Sequence, residues 1–358
     1  MPNAPLKNVL IDRIKSNGPI DLATYMQEAL GHPKHGYYTT RNSIGSAGDF
    51  TTAPEISQLF GELIGLWIVD CWQQMGSPNQ INLIEPGPGR GTLMCDALRV
   101  INRLSAMDPN IHLVETSPRL IAIQQEKLDA TWHSSIDTVP RGPFILVANE
   151  FFDALPIHQY QMSPDGWTQA MIGISSSGDE LQRMLQPCDQ PTLTAPPHNF
   201  AQAPLGAIVE SCPDAETFTR TIVERLGGDS GAALFIDYGY AKPAYGDSLQ
   251  ALFDGDYADP YQHPGLADLT SHVNFFALAT IAHAAGLETY GPIEQGAFLN
   301  QLGLAMRADA LKKNASAPQA RAVDLAAQRL TAPGQMGTLF KVLALSSTTS
   351  LHPAGFAT

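Results

Sequence analysis

No apolar run in this chain approaches the roughly 20 residues needed to cross a bilayer. The longest, such as 232–236 and 342–345, are far shorter, and a soluble protein is expected. Residues 1–11 contain no arginine and no apolar core of signal-peptide length, which predicts neither a secretion signal nor a transit peptide. Cysteine is scarce: Cys71, Cys95, Cys188 and Cys212 are spread without a C-x-x-C pair. That spacing argues against a zinc site or a disulfide framework and predicts reduced thiols and no metal. Positive charge is also short, with 21 Lys and Arg against 35 Asp and Glu, a formal net charge of −14. Such a surface repels a phosphate backbone, which argues against nucleic acid and suits a cationic substrate. Acidic charge carried only for solubility gives the same balance. No internal repeat occurs. What the chain does have is 358 residues with 44% hydrophobic content, enough for a sizeable core in one large or two ordinary domains.

The rest is organised around Ile81 to Gly91, an apolar strand that runs into Glu85-Pro86-Gly87-Pro88-Gly89-Arg90-Gly91. Behind it, Leu93, Ala97, Ile101 and Leu104 recur at helical spacing, so strand, loop and helix form the opening unit of an open α/β sheet. Gly87 and Gly89 fit the start of the dinucleotide pattern G-x-G-x-x-G, but its third position falls on Thr92, whereas Gly91 makes the loop G-x-G-x-G. This spacing favours S-adenosylmethionine over NAD. Glu85, closing the strand, resembles the acid of motif I in class I methyltransferases, which helps hold the cofactor's cationic amino group. A second apolar strand, 111–114, ends on Glu115, the place where such folds put an acid that takes ribose hydroxyls.

A central strand is predicted at 144–148, apolar on both faces. It ends in Asn149-Glu150-Phe151-Phe152-Asp153, and ligands in open α/β sheets bind outside such strand ends. Asn149, Glu150 and Asp153 are therefore candidate catalytic residues. The plain reading is that Asp153 caps a turn and Glu150 pairs with a structural arginine. His158 and His272 are further candidates for a base, against the commoner structural role of histidine.

Two helices joined at 17–19 are predicted between Leu6 and Leu30, followed by 32–38, too rich in breakers to be helical and expected to pack onto something. Residues 45–55 read as a glycine-containing lid ending where Thr52 caps a helix that runs from Ile56 to about Met75. Phe50, Thr52 and Pro54 are expected to border the cofactor. The expected division is an N-terminal helical and lid region over 1–78, a core over 79–345 and a tail over 346–358. Insertions in the core are expected near 157–210, hairpin-like and then proline-rich, and near 238–272, a long loop. Helices at 274–285, 294–302, 304–313 and 317–331 precede a last strand at 338–345.

Five segments together resemble the MidA family of S-adenosylmethionine-dependent methyltransferases: His32-Pro33 with Gly36-Tyr37-Tyr38, Gly48 to Ser57, Glu85 to Gly91, Asn149 to Pro156, and Asp268 to Val273. The resemblance spans most of the chain. It implies a class I, Rossmann-like, mostly parallel sheet with helices on both faces. It also implies a protein substrate, since mitochondrial members methylate an arginine on a core subunit of respiratory complex I during assembly. The implied location is cytoplasmic in a bacterium and the mitochondrial matrix in a eukaryote. Asn274 departs from the family's aspartate after His272-Val273. Because a guanidinium stays protonated, an arginine site needs carboxylates that grip it, the role expected of Glu150 and Asp153. Two alternatives stay open: an assembly chaperone that binds cofactor without turnover, and an NAD-linked oxidoreductase.

Overall fold

A computed structural model describes residues 5–40, 52–347 and 351–356. The chain forms two compact units, one built from 1–50, 152–217 and 242–277 and the other from 51–151, 218–241 and 278–358.

The second unit contains the large sheet, in the order Glu288–Glu294, Phe340–Ser346, Gly231–Tyr240, Phe144–Asn149, Asn82–Pro86, Asn110–Val114 and Thr131–His133. The strands from Gly231–Tyr240 to Thr131–His133 pair in parallel. Phe340–Ser346 runs antiparallel to both of its neighbours. Asn82–Pro86 and Phe144–Asn149 are buried at every residue, the mark of central parallel strands covered on both faces. Strand order reverses at Asn82–Pro86: the chain builds outward from it first on one side and then on the other. A topological switch point of this kind opens a crevice at the carboxyl ends of the strands. This is the mixed α/β architecture that the sequence predicts.

Helix Gln58–Gln74 packs on Thr92–Leu104, the helix that follows the glycine loop. Gly61 and Gly65 make the approach possible, because a Cβ there would lie 2.6 Å from the Asp96 Cβ and 2.7 Å from the Ala97 carbonyl. Within this layer Glu62, only 2% exposed, receives a two-pronged ion pair from Arg307, Nε at 2.7 Å and Nη2 at 2.9 Å. The helix expected from Ile56 to Met75 is interrupted. Ala53–Ile56 makes one turn, Ser57 is extended, and a new helix starts at Gln58 with the Ser57 hydroxyl accepting the Leu59 N–H. The last strand begins at Phe340 rather than 338, after a helical turn Met336–Leu339.

In the first unit helices Pro5–Asn17 and Leu22–Gly31 pack on an antiparallel sheet in the order Ile20–Asp21, Gly166–Ile174, His158–Ser163 and Ile208–Ser211, with Leu181–Pro187 also pairing Gly166–Ile174. Leu10, Leu22, Tyr25, Met26, Tyr37 and Ile172 share its core. Residues 32–38 prove partly helical, since Tyr37–Thr40 makes one turn over the Gly36 carbonyl and buries Tyr37 completely. Residues 238–272 are more than a loop: Gln250–Phe253 pairs antiparallel with both Asp256–Tyr257 and Asp268–Thr270. Asn274 accepts the Ala277 N–H at 3.1 Å and so caps helix Phe275–Ala284, a bond an aspartate would also make.

Among the described residues no helix is long and apolar enough to cross a membrane. None of their His, Cys, Asp and Glu side chains gather in a group of three suited to a metal.

Candidate active site

Strand Asn82–Pro86 delivers its chain into three glycines with positive φ, Gly87 at 60°, Gly89 at 53° and Gly91 at 75°. At Gly87 and Gly91 space is tight as well: a Cβ would meet Phe151 Cδ2 and Leu128 Cδ1, each at 3.0 Å, and either side chain would have to give. The bare backbone of such a loop is a surface that a ligand can approach closely.

Just before it Glu85 is 3% exposed, and its Oε2 has no hydrogen-bond partner among the described residues. Burial pushes its carboxyl up to about 8. An ionised carboxylate is expensive there unless a cation meets it. Glu115, at the end of the neighbouring strand, is better provided. Its Oε1 accepts the Thr116 and Ser117 N–H groups, both at 2.8 Å, while Oε2, among the described residues, meets only Gln124 Nε2 at 3.5 Å. Burial raises its carboxyl above the usual carboxylate range, against the opposing effect of those bonds. Among the described residues, one acid with an unpartnered buried oxygen and one whose second oxygen makes a single long contact, next to a bare glycine turn, fit a ligand with an ammonium group and a diol. S-adenosylmethionine has both.

At the end of Phe144–Asn149, Asn149 is 8% exposed and its Oδ1 also has no partner among the described residues. Glu150 follows in the left-handed region at φ 49°. For a residue with a Cβ this costs on the order of 1 kcal/mol or more and tends to mark functional sites. Its backbone N–H is donated to the Ile236 carbonyl at 2.9 Å. Its Oε1 accepts the Ala53 N–H at 2.8 Å and, more weakly, Asn149 Nδ2 at 3.3 Å. So the helical turn Ala53–Ile56, whose N-cap Thr52 makes no side-chain cap bond, is capped by Glu150 instead. Thr52 is half-buried and Pro54 is buried in this turn. Phe50 and most of the expected lid lie outside the described residues.

Three residues of this unit escaped the sequence reading. Asp237, fully buried, accepts the Phe151 N–H at 3.1 Å and the Tyr238 N–H at 2.9 Å; an acid closing the apolar run 232–236 was the available signal. Glu55 accepts the Thr92 hydroxyl at 2.5 Å. Gln124 is completely buried and gave no signal at all.

Asp153 belongs to the first unit. Its carbonyl accepts the Ser271 N–H at 2.9 Å. The Tyr38 hydroxyl is donated to Asp268 at 3.1 Å, and burial, then Asp268 and Asp153, hold that phenol well above its ordinary value. His158 pairs with the Gln169 amide at 3.3 Å. The His272 N–H is donated to the Ser248 hydroxyl, which is itself donated to Glu210.

A family described as "Putative S-adenosyl-L-methionine-dependent methyltransferase" matches residues 63–293. The chain is 35% identical to the rat "Protein arginine methyltransferase NDUFAF7, mitochondrial", over 97% of this chain and 86% of that protein. It is also 35% identical to the Drosophila melanogaster homologue, over 93% and 83%. A crystal structure of a Burkholderia thailandensis protein bound to S-adenosyl-homocysteine superposes with a TM-score of 0.83 at 26% identity, covering 99% of this chain and 94% of that one. The match over most of its length, to a family described by the cofactor that its glycine loop and two acids suit, leads to one conclusion: the chain belongs to this family and is an S-adenosyl-L-methionine-dependent methyltransferase.

Proposed function

We propose that the enzyme methylates an arginine side chain of a protein, and that the protein is a subunit of respiratory complex I or a counterpart of it. The observation that carries this reading is Glu150: a carboxylate at the end of a central strand, in left-handed backbone, with one oxygen anchored by the Ala53 N–H. The naming of relatives at 35% identity as protein arginine methyltransferases supports it. The family match displaces the NAD-linked alternative.

When bound, S-adenosylmethionine supplies an electrophilic methyl on a sulfonium leaving group. Glu85 would hold its ammonium, Glu115 its ribose hydroxyls, and Gly87, Gly89 and Gly91 would clear the backbone from its path, with Thr52 and Pro54 at the border. Little activation of the donor is needed, so the protein's main task is alignment, which is worth up to roughly 7 to 11 kcal/mol in the best intramolecular cases. Glu150 and Asn149 would grip and polarise the guanidinium by charge-assisted hydrogen bonds. Asp153, three residues along the chain, is proposed on the sequence pattern as a second carboxylate. The acidic net charge suits a cationic target. The relatives' names support a mitochondrial location in a eukaryote, and the matrix there, or the cytoplasm in a bacterium, is what the family resemblance implies.

The test is transfer of isotope-labelled methyl from the cofactor to a cell lysate, with mass spectrometry of the labelled peptides. Labelled arginine in one or a few proteins is expected. Label on another side chain would overturn the arginine assignment. Cofactor binding with no label in any protein would return the chaperone reading.

A further inference from the structure

We propose that Gln124 is a positioning residue for the ribose-binding acid, a reading that rests on the cofactor role given to Glu115 above. Gln124 lies in helix Pro118–Gln125 and is 0% exposed. Its three polar contacts join three different elements. Nε2 is donated to the Gly89 carbonyl at 2.7 Å and to Glu115 Oε2 at 3.5 Å, and Oε1 accepts the Trp132 Nε1–H at 2.7 Å. The indole can only donate and the Gly89 carbonyl can only accept, so the amide has one possible orientation. Both amide hydrogens are used and the oxygen is engaged.

The consequence falls on Glu115. Two backbone donors occupy Oε1, which fixes the carboxylate in the turn 115–117. Among the described residues Oε2 receives only the long contact from Gln124, so it keeps acceptor capacity for a diol. The same Gln124 nitrogen holds the central carbonyl of the glycine loop, so the spacing between loop and acid is set by one side chain. Two further contacts hold this frame: the Glu115 N–H is donated to the His133 carbonyl at 2.9 Å, beside Trp132, and Leu128, four residues after Gln124, limits the space over Gly91. Without the amide, the Gly89 carbonyl would lose a buried donor and the carboxylate would be free to turn.

Calorimetry on the full chain tests this with two probes, S-adenosyl-homocysteine and its analogue lacking both ribose hydroxyls. The parent is expected to bind the first at least about tenfold more tightly, the value of one good hydrogen bond. Gln124→Leu is expected to weaken S-adenosyl-homocysteine by about tenfold while the analogue changes by less than about threefold, so that discrimination between the two collapses. Trp132→Phe removes the N–H that orients the amide, together with part of the ring, keeps Gln124 itself, and should give a smaller loss of the same kind. It carries the test alone if Gln124→Leu does not fold. Equal weakening of both probes, or full discrimination retained, would show that Gln124 only supports the fold and overturn the proposal. A parent that does not discriminate would overturn the Glu115 reading and the Gln124 role with it.

Discussion

Glu150 accepts the backbone N–H of Ala53 at 2.8 Å, so an acid at the end of a central strand closes the first turn of a helix almost a hundred residues earlier in the chain. Glutamine at this position keeps a carbonyl acceptor for Ala53 and loses the charge. Glu150→Gln is therefore expected to leave affinity for S-adenosyl-homocysteine within about threefold and to cut kcat by roughly 100-fold, the pattern of an interaction made in the transition state. Single-turnover methyl transfer and calorimetry check the two halves. Parental turnover would remove Glu150 from the reaction and leave it as a helix cap.

Gly89 sits at φ 53°, which a β-branched side chain does not adopt without strain. Gly89→Val is expected to weaken S-adenosyl-homocysteine by at least about 100-fold, since both the loop's conformation and its open surface are lost. Calorimetry measures it, with circular dichroism to show that the fold persists. Unchanged affinity in a folded variant would place the cofactor elsewhere.

The buried Glu85 carboxyl sets a pH dependence whose sign follows from linkage. Its pKa rises from the ordinary 4.5 to about 8 in the folded protein. Between those values the folded state holds a proton that the unfolded state has released. Its contribution to stability is therefore full below about 4.5 and is lost as pH rises through 8. In the cofactor-free protein, Tm should fall across this window more steeply than in Glu85→Gln. A ligand ammonium would reverse the preference by favouring the ionised form. Affinity for S-adenosyl-homocysteine should then rise towards pH 8, by at most about tenfold per unit. Parallel Tm curves for parent and variant would contradict the burial account.

Arg307 forks onto a Glu62 that is almost inaccessible, and among the described residues only Arg99, at 3.7 Å, stands by as another cation. Arg307→Leu is expected to cost about 2 to 3 kcal/mol, less than the loss from a fully buried pair because Arg307 is partly exposed and Arg99 remains. Urea unfolding measures this. Glu62→Gln in the same background should recover part of the loss, and no recovery would mean that packing rather than charge is at stake.

Where residues act on their chain neighbours, the sequence was readable. The glycine loop, the apolar strands 82–86 and 144–149 and the acid at Glu115 all announce themselves by spacing, and the helix over 317–331 matches its observed bounds. Glu150 was visible as an acid at a strand end, but its partner Ala53 is brought to it by the fold alone. Gln124 and Gln125 illustrate the limit. They are adjacent and chemically identical, yet the first is completely buried with every polar atom engaged and the second is exposed. The same holds for Ser57, whose extended backbone ends one helical turn and whose hydroxyl starts the next, in a stretch whose apolar pattern continues unbroken.

The antiparallel strand Phe340–Ser346 lies between Gly231–Tyr240 and Glu288–Glu294, and this fixes a timetable for synthesis. Strand 231–240 leaves the ribosome about a hundred residues before its neighbour, a wait of roughly 5 to 20 s at ordinary translation speeds. During that interval the glycine loop and all the parallel strands have been synthesised, while the apolar edge that Phe340–Ser346 later covers lacks this partner and is expected to be open to pairing with the wrong chain. Nascent chains stalled before residue 340 are expected to be cleaved by protease within 231–240, and chains released after residue 346 to resist. Resistance in the stalled chains would mean that the edge is shielded from the start.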